Sequence, residues 1–271
     1  MRIFCLGDST MQYNDAKTWP QTGWAQMLPL FFHEGVQVCN FAKNGRSTKS
    51  FLGEQRFEEV LKKLEEGDYV FIQFGHNDEK ADVDRHTDPF GSYQENLIYM
   101  INAIRTKNAY PVLFTPIVRR FGPDHGMYPQ AMIEVAQEQQ IPFVDLNALT
   151  KPVMSAGISI TGPDVDENFS DSYVHLAQDL AMNRDDETRR FYMTFGSGLY
   201  DNYPSGKNDD THLRPEGAFL VANLAIHELK KILEPKSVKK GLLARVTTNS
   251  EANQMVFPFK GVYQALLDAI Q

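Results

Sequence analysis

The chain has 271 residues, of which 42% are hydrophobic and 23% charged, and its formal net charge is −8. These values are ordinary for a globular protein with a substantial core, and the negative charge argues against nucleic acid or an anionic membrane as a general partner. Two cysteines, Cys5 and Cys39, are too few for a disulfide framework, so we expect buried free thiols. The first segment, Met1–Cys5, is too short for a secretory signal, and we expect a cytoplasmic protein.

Five short apolar runs alternate with longer amphipathic stretches along the first 150 residues. The runs are near-continuous, which is typical of parallel strands covered by helices on both faces. Strands are predicted at Arg2–Leu6, Val36–Phe41, Tyr69–Phe74, Tyr110–Thr115 and Ile141–Val144. Helices are predicted at Gly23–Phe32, Lys49–Glu65, Tyr93–Lys107 and Pro129–Gln139. This alternation predicts an α/β protein in which a five-stranded parallel sheet lies between two helical layers.

The pattern becomes less regular beyond residue 150. Predicted there are a helix at Leu146–Ala156, a polar loop at Gly157–Asp171, a helix that begins at Pro215 and ends before Pro235, and a short helix at Val262–Ile270. The chain has no internal repeat and no clear linker. We therefore predict one domain over residues 1–235 and a C-terminal extension, residues 236–271, that packs on it.

Polar residues follow three of the predicted strands at their carboxyl ends, where the ligands of open parallel sheets bind. Gly7, Asp8 and Ser9 follow the first strand, Gly45 follows the second, and Gly75–Asp78 follows the third. A serine after a glycine at a strand end is commonly a turn or helix-capping residue. It becomes a nucleophile only with a base within hydrogen-bond reach and a third group that orients the base.

His212 is the histidine that best fits the role of that base. Asp209 lies three residues before it, in a turn that precedes the helix expected from Pro215. A carboxylate at this spacing can fold back onto Nδ1–H, which fixes the tautomer and leaves Nε2 free to take a hydroxyl proton. The competing interpretation is a simple cap on the next helix. Five other histidines are expected at the surface or in packing: His33, His86, His125, His175 and His227.

Asn77 and Gly45 are candidate donors to an oxyanion. A side-chain amide in such a role is worth ~3 kcal/mol of barrier, and a glycine N–H is a common second donor. Each residue, taken alone, is also an ordinary turn residue. Independent turns do not predict a complementary set of nucleophile, acid–base pair and two donors, so the joint interpretation is favoured.

No cofactor and no metal are expected. Asp209, Asp210 and His212 have no second histidine at ligand spacing. A nucleotide or flavin binder on a flavodoxin-like sheet would need a phosphate loop, and the Gly-Ser-Gly at residues 196–198 has no third glycine in register. Both alternatives to a hydrolase at this sheet edge are therefore disfavoured.

The same residues resemble the conserved blocks of the SGNH hydrolase superfamily, the GDSL-like esterases. "GDS" at residues 7–9, Gly45, "GHND" at 75–78 and "DDTH" at 209–212 occur in the family's order. Within the superfamily, "GDSTMQ", "NGRSTKSF" and "FGHNDEK" resemble rhamnogalacturonan acetylesterases and their bacterial relatives. Thr10 stands where many members carry leucine, and the tail after Lys236 matches nothing in the family.

The resemblance implies a flavodoxin-like SGNH hydrolase fold and a serine esterase. Ser9 would attack the ester carbonyl, His212 would accept the proton, and Asp209 would orient the imidazole. The backbone N–H groups of Ser9 and Gly45 and the Asn77 amide would hold the oxyanion. The implied substrate is an acetylated, pectin-derived oligosaccharide. The alternatives are a lipase or thioesterase acting on another acyl ester and a non-catalytic carbohydrate-binding protein.

Basic residues near the strand ends suggest how an acidic sugar could bind despite the negative net charge. An arginine can hold a galacturonate carboxylate through two hydrogen bonds, although ordinary surface charge is the competing interpretation. The candidate substrate-binding residues are Asp8, Arg46, His76, Arg119 and Arg120. Trp19, Trp24 and Phe90 are candidates to stack on sugar rings, with core packing favoured for Trp24.

Overall fold

A computed structural model describes residues 1–121, 125–156, 191–234 and 261–271. The predicted loop Gly157–Asp171, His175 and most of the segment between the last two predicted helices lie outside the described residues. The fold and the site below are built from the described ranges.

A parallel sheet of five strands forms the centre of the described fold. The strands are β1 (Arg2–Gly7), β2 (Gln37–Asn40), β3 (Tyr69–Gln73), β4 (Tyr110–Phe114) and β5 (Phe143–Val144). Their order across the sheet is β2-β1-β3-β4-β5, and every neighbouring pair is parallel. In the register of the central pair, Ile3 faces Tyr69 and Gly7 faces Gln73. The predicted five-stranded parallel sheet is confirmed.

Side chains of the central strands alternate between two apolar cores. In β1, Ile3 and Cys5 belong to one buried cluster, whereas Phe4 and Leu6 belong to the other. A buried aliphatic or aromatic side chain contributes about 1.5–3 kcal/mol through removal from water, so both faces must be covered. Helices cover both, which gives the predicted three-layer sandwich.

The helices follow the predicted segments, with two differences. The described helices are α1 (Thr48–Gly53), α2 (Arg56–Leu61), α3 (Gln94–Arg105), α4 (Tyr128–Glu138), α5 (Leu146–Ala156), α6 (Pro215–Leu233) and α7 (Gln264–Ala269), with a 3₁₀ helix at Trp24–Phe31 and a π-helical turn at Pro89–Tyr93. The single helix predicted at Lys49–Glu65 is wrong, because Gln55 has a left-handed conformation (φ 58°) that separates α1 from α2. The segment predicted as a helix at Gly23–Phe32 has 3₁₀ geometry.

The last described residues pack against the body of the protein through α7. Leu266 is fully buried, and Ile270 forms an antiparallel bridge with Phe32. The Tyr263 hydroxyl donates to the Pro111 carbonyl at 2.8 Å. The helix therefore covers one of the two cores.

No helix among the described residues is long and apolar enough to span a bilayer. Cys5 is buried and Cys39 is half-buried, and both are free thiols. Burial raises the pKa of the Cys39 thiol. Neither cysteine has the lowered thiol pKa that marks a reactive cysteine.

Candidate active site

The candidate site lies where β1 and β3 end side by side at the carboxyl edge of the sheet. Asp8 and Ser9 continue directly from β1, and Gly75 to Asp78 continue from the adjacent β3. The N–H of Lys43 donates to the Gly7 carbonyl at 2.9 Å, which ties the chain after β2 to the end of β1. Three turns that are remote in sequence thus meet at one edge, as parallel topology requires.

Ser9, His212 and Asp209 form one continuous line of hydrogen bonds. Nε2 of His212 lies 2.8 Å from Oγ of Ser9, and Nδ1 lies 2.7 Å from Oδ2 of Asp209. The carboxylate can accept only the Nδ1–H, so Nε2 is left as the acceptor that faces the serine hydroxyl. The arrangement is that of a nucleophile, its general base and the group that orients the base.

The Asp209 carboxylate is held in its ionised form. Burial alone would raise its pKa, but hydrogen bonds from the His212 ring and from the backbone N–H groups of Thr211 and His212 lower it to about 2. Both N–H groups donate to Oδ1 at 3.0 Å, while Oδ2 faces the ring. One carboxylate therefore shapes the turn and orients the imidazole.

Neighbouring residues fix the turn that carries this pair. The Thr194 hydroxyl accepts the N–H of Asp209 and donates to the Asp210 carboxylate, each at 3.0 Å. The N–H of Met193 donates to the His212 carbonyl at 2.8 Å. Thr194 and Met193 were not identified from the sequence, because their roles follow from a strand-like contact that no local pattern marks.

Asn77 contacts the turn that carries Gly45, the other predicted oxyanion donor. Nδ2 of Asn77 donates to the Arg46 carbonyl, directly after Gly45, at 3.1 Å. Gly45 has φ +77°, a left-handed conformation that glycine adopts without strain. The side chain of Gln12 accepts the N–H of Asn44, which links this turn to the segment after Ser9.

The side chain of Asp8 lies under the site, and no part of it is exposed. Its Oδ1 accepts the N–H and hydroxyl of Thr10 at 2.9 and 2.8 Å, and its Oδ2 lies 3.1 Å from Nδ1 of His76. The prediction that Asp8 and His76 bind substrate is corrected, because His76 is also buried, with 3% of its surface exposed. Thr10 accepts in turn from Gln73 at 2.9 Å, so this network stiffens the nucleophile turn.

A second buried cluster adjoins His76. The rings of His76 and His125 are 4.2 Å apart, and His125 is completely buried. Nε2 of His125 donates to the Ile117 carbonyl at 2.8 Å, and Nδ1 lies 3.2 Å from Oε2 of Glu79. Burial opposes ionisation of Glu79, but His125 and Arg119 lower its pKa to about 2. This cluster could not be predicted from the sequence, since Glu79 and Arg119 are 40 residues apart along the chain.

The three candidate arginines face carboxylates of the protein itself. Arg46 pairs with Glu54 at 2.9 Å, Arg119 pairs with Glu79, and Arg120 lies 3.4 Å from Asp210. Arg46 is half-buried, with 28% of its side chain exposed, and the other two are more deeply buried. Each arginine thus has a carboxylate partner within the protein, and binding of a substrate carboxylate by Arg46, Arg119 or Arg120 stays a prediction.

The candidate aromatic residues occupy different environments. Trp24 is fully buried and its Nε1–H donates to Gln73, which confirms the prediction of core packing. Trp19 and Phe90 are exposed by 39% and 47%. Of the three, only Trp19 and Phe90 have surface available to a ligand.

Residues 5–218 match the model of the GDSL-like Lipase/Acylhydrolase family. Rhamnogalacturonan acetylesterase RhgT from Bacillus subtilis (strain 168) is 33% identical over 252 residues, which cover 90% of this chain and 95% of that protein. Probable rhamnogalacturonan acetylesterase YesY from the same organism is 38% identical over 153 residues, covering 53% of this chain and 69% of that protein.

Solved structures share the fold. Protein YxiM from Bacillus subtilis aligns with a TM-score of 0.59 at 25% identity, over 84% of this chain and 56% of that chain. Axe2, an acetylxylan esterase from Geobacillus stearothermophilus, aligns with a TM-score of 0.53 at 16% identity, over 84% of this chain and 93% of that chain. At this identity the second similarity concerns the fold alone.

Proposed function

The chain belongs to the GDSL-like lipase/acylhydrolase family, and from that premise we propose that it removes O-acetyl groups from pectin-derived oligosaccharides of the rhamnogalacturonan type. It is a carboxylic ester hydrolase, and its relatives named rhamnogalacturonan acetylesterases support activity on acetylated carbohydrate. The observation that carries the proposal is the line of contacts from Oγ of Ser9 through His212 to Asp209, 2.8 and 2.7 Å long.

In the first half of the proposed reaction, Oγ of Ser9 attacks the carbonyl carbon of the acetyl ester. Nε2 of His212 takes the hydroxyl proton, and the imidazolium is stabilised by the ionised Asp209. When the tetrahedral intermediate collapses, the same nitrogen returns the proton to the departing sugar oxygen. The products are a free sugar hydroxyl and an acetylated Ser9.

In the second half, water replaces the sugar. His212 takes a proton from the water, whose oxygen attacks the acetyl carbonyl, and then returns the proton to Oγ of Ser9 as acetate leaves. In both tetrahedral intermediates the negative oxygen is stabilised by the N–H groups of Ser9 and Gly45 and by the Asn77 amide. Removing one such donor typically slows the chemical step by 10²–10³, about 3–4 kcal/mol.

Acetate release distinguishes this function from its alternatives. Purified protein would be incubated with acetylated rhamnogalacturonan fragments, acetylated xylo-oligosaccharides and p-nitrophenyl esters of acetate and a long-chain acid. We expect acetate release, fastest from the rhamnogalacturonan fragments, and loss of at least about 10³-fold in Ser9→Ala because the nucleophile is gone. Ser205→Ala, an exposed serine outside the site, is the matched control.

Each alternative has its own result in this screen. Preference for the long-chain ester over every acetyl ester would indicate a lipase or thioesterase. Oligosaccharide binding without any release of acetate would indicate a non-catalytic carbohydrate-binding protein. Equal acetate release by folded Ser9→Ala and by the unaltered protein would contradict the serine mechanism.

A further inference from the structure

A cleft of about 610 Å³ has two walls from remote parts of the chain. The first wall is formed by residues 13–16 and Trp19, and the second is the segment from Leu199 to Asn202. Nδ2 of Asn202 donates to the carbonyls of Ala16 and Trp19, at 2.7 and 2.8 Å. These bonds hold the walls together, so the cleft is a preformed feature of the described structure.

The cleft adjoins the candidate active site on both sides. Its first wall begins four residues after Ser9, and Asn14 in that wall lies within 3.4 Å of Gln12, the residue that bonds the turn of Gly45. In the second wall, the Tyr200 hydroxyl accepts from Arg214, two residues after His212, at 2.9 Å. These bonds link the cleft to the turns that carry Ser9 and His212.

The exposed surface of the cleft is aromatic and apolar. Tyr13, Trp19 and Leu199 are exposed by 62%, 39% and 43%, respectively. Large apolar side chains that stay exposed beside a polar rim are typical of a binding surface. Aromatic rings of this kind offer a flat face to the C–H groups of a sugar, while polar neighbours bind its hydroxyls.

The charged side chains that line the cleft are carboxylates, while the Arg214 guanidinium lies behind the second wall, on the Tyr200 hydroxyl. Asp15 and Asp201 line it, and none of the described residues that line it is a lysine or an arginine. Carboxylates accept hydrogen bonds from sugar hydroxyls, but they repel the carboxylate of a uronate. The chemistry of the cleft therefore favours an uncharged sugar over an acidic one.

We propose that this cleft is a subsite for an uncharged pyranose next to the acetylated sugar, with Trp19 as its stacking platform. The proposal rests on the proposed function and deepens it, because it assigns the neutral sugar of a mixed neutral and acidic oligosaccharide to one side of Ser9. It also explains how an enzyme with the acidic surface of this chain binds such a substrate although no described residue that lines the cleft is basic.

The kinetic test compares a long substrate with a short one. For Trp19→Ala, kcat/KM would be measured with an acetylated rhamnogalacturonan tetrasaccharide and with p-nitrophenyl acetate. The first value is divided by the second. We expect this ratio to fall about tenfold, because only the long substrate reaches the ring. Tyr99→Ala, which removes an exposed aromatic side chain on α3, is the matched control and keeps the ratio. A ratio within twofold of that of the unaltered protein in folded Trp19→Ala would overturn the proposal.

A binding test separates the subsite from the catalytic proposal. The chain has two tryptophans, and Trp24 is fully buried, so a ligand in the cleft would change the fluorescence of Trp19. Ser9→Ala would be titrated with a neutral xylo-oligosaccharide and with an oligogalacturonate of equal length. We expect a saturable change with the neutral ligand, at least about tenfold weaker binding of the acidic one, and no signal after Trp19→Phe is added.

The outcomes of this titration are distinct from failure of the esterase assay. Saturable binding of the neutral ligand supports the subsite even if no acetate is released in the activity screen. Stronger binding of the oligogalacturonate, or a signal that persists in the variant with Phe at position 19, overturns the subsite. Should Trp19→Ala lose its fold, Tyr13→Ala provides the same kinetic comparison on the other exposed ring of the first wall.

Discussion

At the scale of single residues, the Asp209 carboxylate determines which nitrogen of His212 carries the proton. Oδ2 accepts from Nδ1 at 2.7 Å, while Oδ1 accepts two backbone N–H groups. An amide in place of the carboxylate keeps one oxygen for the backbone but presents an NH₂ group to the ring. The imidazole would then hold its proton on Nε2, facing Ser9, and could not act as the base.

We therefore expect Asp209→Asn to lower kcat by about 10³–10⁴, as tautomer reversal does in other serine hydrolases, with little change in KM. Steady-state kinetics with p-nitrophenyl acetate measure this change. Asp210→Asn, the adjacent carboxylate that contacts Thr194 and Arg120 rather than His212, is the control for loss of charge. A kcat for Asp209→Asn within tenfold of that of the unaltered protein would show that the carboxylate does not govern the base.

Asp78 is a buried carboxyl group whose protonation makes the stability of the fold depend on pH. Its Oδ1 accepts the N–H of Thr48 at 3.0 Å and the hydroxyl of Thr87 at 3.1 Å, and no part of the side chain is exposed. Burial raises its pKa to about 7, and these hydrogen bonds only partly oppose the shift. Between about pH 4 and 7 the folded chain therefore keeps a proton that the unfolded chain releases. The free energy of unfolding falls as pH rises through that window.

The asparagine variant removes this titration while keeping an oxygen acceptor for Thr48. We expect the difference in Tm, that of Asp78→Asn minus that of the unaltered protein, to be larger at pH 8 than at pH 5. Thermal unfolding at both pH values measures it, with Asp84→Asn, an exposed carboxylate of the following loop, as the control. A Tm difference that is the same at both pH values would contradict the raised pKa.

At the scale of elements, the turn after β3 is built on Gly75. Its φ of +144° is accessible to glycine, and a Cβ at this position would lie 2.7 Å from Cγ of Pro116. Asn77 follows two residues later, so the close approach of the Gly75 backbone to the Pro116 ring sets the position of the amide. This turn links the packing of β3 and β4 to the chemistry at their ends.

We expect Gly75→Ala to lower the free energy of unfolding by about 1–3 kcal/mol through overpacking, and to lower kcat because Asn77 shifts. Urea denaturation and ester hydrolysis measure the two effects. Gly53→Ala at the end of α1 is the matched control, because a Cβ there meets nothing within 4 Å. If Gly75→Ala and Gly53→Ala had the same free energy of unfolding, close packing of Gly75 against Pro116 would be refuted.

The sequence identified the strands well and one helix poorly, for physical reasons. Continuous apolar runs such as Tyr69–Gln73 have a single low-energy placement, in a sheet covered on both faces. The break at Gln55 has only a weak local signal, because glutamine is a good helix former and a single glycine such as Gly53 is tolerated within a helical pattern. A periodic pattern therefore predicts that a segment is helical more reliably than where the helix is interrupted.

The candidate site could likewise be predicted in part: its catalytic residues were identified, but not the ion-pair partners of its arginines. Ser9, Asp209 and His212 were identified because strand ends converge at one sheet edge and because a three-residue spacing favours a carboxylate–imidazole contact. The partner of Arg119 could not be identified, since Glu79 lies 40 residues away and the pair forms only in the fold. Contacts set by tertiary packing, such as the ion pairs of the three arginines, required the structure.

At the scale of the whole molecule, the C-terminal helix completes one of the two cores. Leu266 of α7 is fully buried, while Leu267 is only half-buried. Leu266→Ala should lower the free energy of unfolding by about 2–5 kcal/mol, because it leaves a cavity, and Leu267→Ala should cost less than about 1.5 kcal/mol. Chemical denaturation of the two variants measures the difference. Equal effects would show that the helix does not pack as described.

The position of α7 also relates it to the candidate active site. The helix covers the same core as α6, the helix that directly follows His212. Loss of α7 packing is therefore expected to lower stability while leaving the geometry of the turns at the opposite, carboxyl edge of the sheet in place. Among the described residues, α7 and the helix that follows His212 are joined through this shared core.

The central claim is that Ser9 is a nucleophile activated by His212, and covalent labelling tests it most directly. A fluorophosphonate forms a bond from its phosphorus to an activated serine oxygen and releases fluoride. Mass spectrometry should show one adduct on the intact protein, on the tryptic peptide Ile3–Lys17 that contains Ser9, and none in His212→Ala at the same exposure. Labelling at another residue, no labelling at all, or labelling of His212→Ala at the rate of the unaltered protein would contradict the claim.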